Sequence, residues 1–140
     1  MRILLVSLTL FLGLAGLSAL GSPLKVLTSP SHEDQGLPFS EAVEAGGLIF
    51  VSGQIAAKPG SLALVPGGIE NQTGQVMDNI KNVLERHGSS MDHVVKCTVF
   101  IQDMAQWPAM NAVYRTYFSN HKPARSAVGA NGIALARWVG

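Results

Sequence analysis

Apolar and polar positions divide the chain into two unlike parts. From Ile3 to Leu20 no charged side chain occurs, and Leu, Ile, Val and Phe dominate. Beyond Ser22 the pattern becomes periodic. Residues 22–36 form a polar, Pro-containing arm in which Lys25-Val26-Leu27-Thr28 reads as a leading strand. Glu41 to Ala45 alternates charged and apolar residues, the period of a half-buried strand. Gly46-Gly47 is a turn signal, and Leu48 to Ile55 follows as a strongly apolar strand, so the two are expected to form a hairpin. Ala56 to Gly68, with two prolines and three glycines, reads as a loop. Ile69, Thr73, Val76, Met77, Ile80, Val83 and Leu84 recur at helical steps, and Gly88 supplies a stop. Val94 to Ile101 is β-branched and aromatic, a further strand. Asp103 can cap a second helix whose apolar face is Met110, Val113, Tyr114 and Tyr117, with Pro108 tolerated in its first turn. Arg125–Val128 and Ile133–Val139 are short strand candidates. The order β-β-α-β-α-β-β predicts an α+β fold, its strands in one sheet and both helices on one face.

The apolar opening follows a single positive residue, Arg2, and ends in small residues, as a secretory signal does. Ala19 and Gly21 would stand at −3 and −1 for cleavage before Ser22, which makes residues 1–21 a signal peptide and the mature chain exported, periplasmic or secreted. An uncleaved membrane anchor is the competing reading, since the run is about long enough to span a bilayer. Removing it leaves one domain of ordinary size with room for a single core.

The remaining composition narrows the chemistry mostly by exclusion. Cys97 is the lone cysteine, so no internal disulfide forms. A net charge of +1 with scattered Lys and Arg gives no basic stripe, which argues against nucleic acid as a partner. His32, His87, His93 and His121 lack metal-ligand spacing, and neither a nucleophile elbow nor a phosphate loop is present. Three polar clusters stand out: Gly36-Leu37-Pro38-Phe39-Ser40, Ser52-Gly53-Gln54 and Pro123-Ala124-Arg125-Ser126. The third puts a guanidinium at the start of an apolar strand. Such an arginine either snorkels to solvent or awaits an anion, for which its planar fork suits a carboxylate.

These clusters resemble the RidA (YjgF/YER057c) family. The likeness is carried by Leu37-Pro38-Phe39-Ser40-Glu41-Ala42-Val43, Ile49-Phe50-Val51-Ser52-Gly53-Gln54-Ile55, Gln72-Thr73, Asn79 to Leu84, Val95 to Met104, Met110 to Tyr114 and the hallmark Pro123-Ala124-Arg125-Ser126. The resemblance implies a chorismate-mutase-like fold over residues 37–140 and a homotrimer with clefts between subunits. It also implies hydrolysis of reactive 2-imino and enamine acids to 2-oxo acids and ammonia without metal or organic cofactor. It assigns Arg125 to the substrate carboxylate, Phe39, Ser52, Gly53 and Asn111 to the cleft wall, and backbone near Ala127 to the attacking water. Gly53 has a second reading as the site of a bulge, and Asn111 as a group that satisfies backbone.

Two positions depart from the family pattern. Deaminase-active members carry a water-orienting glutamate in the last strand, and counting from Arg125 without a gap puts that position on Gly140. Position 127, often Cys in imine deaminases, is Ala. The last strand is expected to be curtailed, and a binder of small carboxylates without turnover is the alternative function.

Overall fold

The computed structural model describes residues 23–132. The leader read over 1–21 and the strand expected over 133–139 lie outside the described residues. Strand β1 (Lys25–Leu27) leads into a one-turn helix, α1 (Pro30–Glu33), then β2 (Ala42–Ala45) and β3 (Leu48–Val51). The long helix α2 (Gly68–Arg86) follows, then β4 (Lys96–Ile101), α3 (Trp107–Tyr114) and β5 (Ala124–Gly129), with single 3-10 turns at Met91–His93, Met104–Gln106 and Arg115–Tyr117. The architecture is α+β.

Gly46 and Gly47 both have positive φ (58° and 77°), so they make the two-residue turn that pairs Ala45 with Leu48. β1 adds antiparallel to the other edge of β2. The second sheet is a parallel pair, β4–β5, in register from Lys96–Ala124 to Ile101–Gly129 and joined through α3. Among the described residues the strands form two hydrogen-bonded sets, β1-β2-β3 and β4-β5, and the strand expected over 133–139 lies outside them. The apolar run to Ile55 overstates β3. The strand stops at Val51 because β2 begins only at Ala42, and the chain bends where Ser52 N–H reaches Glu41 O at 3.0 Å.

α2 forms on the stripe read from sequence, with Thr73, Met77, Val83 and Leu84 buried. It ends as Gly88 (φ 78°) lets Ser89 N–H return to Leu84 O and Gly88 N–H to Glu85 O, a Schellman closure. Asp103 caps the 3-10 turn just ahead of α3, its Oδ1 accepting from Ala105 N–H at 2.9 Å. One core cluster joins Met77 and Leu84 of α2, Met91, Ile101, Met110, Tyr114 and Phe118. A smaller one joins Leu27, Ala42 and Val83. The helices therefore cover the face bearing Leu27, Ala42, Cys97, Val99 and Ile101. The opposite face exposes Val26, Leu48 and Phe50 on one sheet and Phe100 and Val128 on the other.

Candidate functional site

Alternation along β5 decides where Arg125 points. Arg125 and Ala127 lie level with Cys97 and Val99 and share their helix-facing side, both half-buried, while Ala124, Ser126 and Val128 face out. Outward, Lys96 Nζ donates to Ser126 Oγ at 3.0 Å. Inward, the Arg125 guanidinium carbon lies 4.7 Å from the Trp107 ring centroid and 4.6 Å from that of Tyr114. Trp107, Asn111 and Tyr114 fall at i, i+4 and i+7 of α3, one helix face. Asn111 thus stands between the two rings that receive the guanidinium.

Arg125 has no carboxylate within ion-pair reach among the described residues, where the ion pairs are Lys25–Glu44, Lys81–Glu85, Arg86–Glu41 and His87–Glu41. The Tyr114 hydroxyl is buried and makes no hydrogen bond to a described group. Burial, and then the neighbouring Cys97 thiol, push its phenol far above the ordinary range, against the pull of the Arg125 charge. It is a neutral donor at any physiological pH. The end of α3 is tied to α2 by Tyr117, whose hydroxyl donates to Asp78 Oδ1 at 2.8 Å. Burial and that carboxylate push this phenol up to about 12.

The remaining residues expected at the site gather elsewhere in the protomer. Phe39 is 48% exposed, its ring edge-on to His32 at 5.6 Å, and its carbonyl accepts from His32 Nε2 at 2.7 Å. Ser52 Oγ donates to Ser40 O at 2.6 Å, which fixes the polar turn after β3. Gly53 is exposed, has no positive φ, and a Cβ there would meet nothing within 4 Å. Neither a bulge nor a steric need within this protomer requires glycine there. Arg125, Ala127 and Asn111 therefore form one group, and Phe39, Ser52 and Gly53 another.

The second group is braced by a buried ion cluster that sequence reading missed. Glu41, 8% exposed, accepts from Arg86 Nη1 at 2.6 Å and from Ser29 Oγ at 3.0 Å, and His87 Nε2 lies 3.3 Å from its other oxygen. Burial raises the Glu41 pKa, but hydrogen bonds from Arg86, His87 and Ser29, with the Arg86 charge, outweigh it and hold the carboxyl below its ordinary value. Trp107 was also missed. Its spacing to Asn111 and Tyr114 was the available signal. A groove of about 590 Å³ is open and lies between the 56–68 loop and α2, lined in part by Lys58, Glu70 and Asp78. It contains none of the expected site residues. No group of His, Cys, Asp and Glu among the described residues is arranged to hold a metal.

Comparison with known proteins places the chain in a family. A family model described as endoribonuclease L-PSP matches residues 33–138. The chain belongs to the RidA (YjgF) family. A RutC family protein of Pyrococcus horikoshii is 46% identical over 91 residues, covering 65% of this chain and 72% of that protein. A mouse protein named 2-iminobutanoate/2-iminopropanoate deaminase is 39% identical over 90 residues, covering 64% and 67%. Among solved structures, the yeast protein YEO7 superposes with TM-score 0.74 at 41% identity, covering 81% of this chain and 90% of its own. RidA from an Antarctic Psychrobacter gives TM-score 0.66 at 33% identity, covering 70% and 79%. This RidA-family chain thus shares its fold with relatives that include proteins named as imine deaminases.

Proposed function

We propose that this protein binds small 2-imino and 2-oxo acids through Arg125 and hydrolyses the imines to 2-oxo acids and ammonia. The observation that carries the reading is the half-buried guanidinium over Trp107 and Tyr114, with no ion-pair partner among the described residues. A half-buried cation without a counter-ion is costly, and an incoming carboxylate relieves that cost through two charge-assisted hydrogen bonds. Once the carboxylate is held, the adjacent C=N carbon is fixed against a water molecule, which converts a chance encounter into an oriented one. Water adds to the iminium carbon, one proton passes from oxygen to nitrogen, the C–N bond breaks to release ammonia, and the remaining hydroxyl proton passes to that ammonia to leave the 2-oxo acid and ammonium. Arg125 is the residue assigned to the clamp. Ala127, Asn111, Phe39, Ser52 and Gly53 are the proposed walls.

A homotrimer would bring the two residue groups together. The outward sheet faces expose Val26, Leu48, Phe50, Phe100 and Val128, an apolar surface of the kind a subunit interface covers. A cleft between copies would set the Ser52–Gly53 turn of one protomer opposite Arg125 of the next. Residues 1–21 retain the pattern of an export signal, so the proposed setting is outside the cytoplasm. No helix among the described residues is long and apolar enough to cross a membrane.

A binder without turnover is the second reading, favoured by Gly140 standing where the resemblance puts a glutamate. Losing a general base typically costs a factor of about 10²–10⁴ in rate. Generating 2-iminopropanoate in situ with an amino-acid oxidase, and following its loss with and without the protein, separates the two. Acceleration that disappears in Arg125→Ala is the expected result. No acceleration, together with 2-oxo acid binding that Arg125→Ala abolishes, leaves the binder.

A further inference from the structure

We propose that Trp107 and Tyr114 are positioning residues for Arg125: their rings carry the guanidinium charge in place of an internal carboxylate and so keep its donors free for ligand. The inference rests on reading Arg125 as the carboxylate clamp. A guanidinium has five N–H donors, and any carboxylate on the protein would consume two of them and neutralise the charge the ligand needs. An aromatic face attracts the cation through its quadrupole without occupying an N–H in a strong hydrogen bond. Both ring centroids lie within 4.7 Å of the guanidinium carbon, inside the range of that attraction.

The support beneath the rings is built for placement. α3 sets the two residues seven apart, on one face, about 10 Å along the helix axis. Pro108 in the first turn and the Asp103 cap just upstream define where the helix begins. Tyr114 is locked at the other end, buried in the core cluster with its ring 5.0 Å from that of Phe118. Trp107 is only half-buried, so part of its ring meets solvent while it lies against the guanidinium. The rings contribute no chemistry to the imine. They hold the clamp.

The test uses the full chain in a Trp138→Phe background, which leaves Trp107 as the one tryptophan. Binding of 2-oxopropanoate is measured by calorimetry and by Trp107 fluorescence, with far-UV circular dichroism and thermal melting as fold controls. Trp107→Leu is expected to weaken binding about 5- to 30-fold, the range of one such cation–π contact. Trp107→Phe should recover most of that loss, and Tyr114→Phe, which keeps the ring, should bind nearly as the parent does. Ligand should change Trp107 fluorescence in the parent and not in Arg125→Ala. In the deaminase assay the leucine variant should raise KM more than it lowers kcat. If Trp107→Leu binds as tightly as the parent while Arg125→Ala does not bind, the positioning role is wrong and the clamp stands. Undiminished binding by Arg125→Ala overturns the clamp reading itself. A Tyr114→Phe defect as large as that of Trp107→Leu, in a folded protein, means that the hydroxyl acts instead of the ring, and the proposal also falls.

Discussion

Glu41→Gln tests the buried ion cluster with minimal change of shape. In the native protein the carboxylate takes a charge-assisted bond from Arg86 at 2.6 Å, one from Ser29 at 3.0 Å, and a contact with His87 at 3.3 Å. A hydrogen bond to a charged group contributes about 1.5–3 kcal/mol against about 0.5–1.5 for a neutral one. The Arg86 side chain is 39% exposed, so water takes up part of the difference. The expected loss at pH 7 is about 1–2 kcal/mol, or roughly 4–8 °C in Tm for a domain of this size. The sign with pH follows from the depressed carboxyl. A group whose folded pKa lies below its unfolded value stabilises fully above that unfolded value, here 4.5, and the benefit fades as pH falls through the folded pKa. The stability gap between native protein and Glu41→Gln should therefore be level from pH 7 to about 5 and close on further acidification. Urea melts at stepped pH read it directly, and repeating them in a His87→Gln background removes the histidine whose charge depends on protonation. Equal stability at pH 7, or a gap that widens in acid, would refute the reasoning.

Two further substitutions probe the proposed subunit interface. Phe100→Glu places a charge on the outward face beside Val128, where Phe100 is 55% exposed in the protomer. Light scattering should then show monomers with unchanged circular dichroism, since burying that ring between subunits contributes about 1.5–3 kcal/mol; an intact trimer would place the interface elsewhere. Gly53→Ala adds a methyl into open space, so its stability should stay within about 0.5 kcal/mol of native. The same substitution should weaken 2-oxopropanoate binding, because the proposed cleft wall comes within reach only across subunits. Unchanged binding removes Gly53 from the site.

Local features of the fold were legible in the sequence, and long-range ones were not. The hairpin followed from Gly46-Gly47 between apolar runs, and α2 from a stripe with a glycine stop, because each signal sits within a few residues of what it controls. α1 escaped notice: four residues are too few to show a helical period, and only Ser29-Pro30, a cap position followed by a helix-starting proline, hinted at it. The end of β3 was misplaced because Ile55 continues the apolar run, whereas strand length depends on the partner. Which strands meet in each hydrogen-bonded set is likewise a long-range matter. At the site, an arginine entering an apolar strand leaves snorkelling and anion binding both open, and only the family resemblance assigns Arg125 to a carboxylate. Its ring partners were not identified, since Tyr114 was counted as core and Trp107 was passed over. The spacing of Trp107, Asn111 and Tyr114 puts them on one helix face, but which strand that face meets depends on how α3 packs across the parallel pair. The Glu41 cluster joins residues 12 to 46 apart, with the same consequence.

The central claim is that Arg125 is a carboxylate clamp. Calorimetric titration of the native protein and Arg125→Ala with 2-oxopropanoate, each shown to be folded and of the same oligomeric state, addresses it directly. Two charge-assisted hydrogen bonds at about 1.5–3 kcal/mol each imply a loss of at least about a hundredfold in affinity. Saturable binding by the native protein that vanishes in Arg125→Ala is the expected result; equal affinity of the two proteins would contradict it.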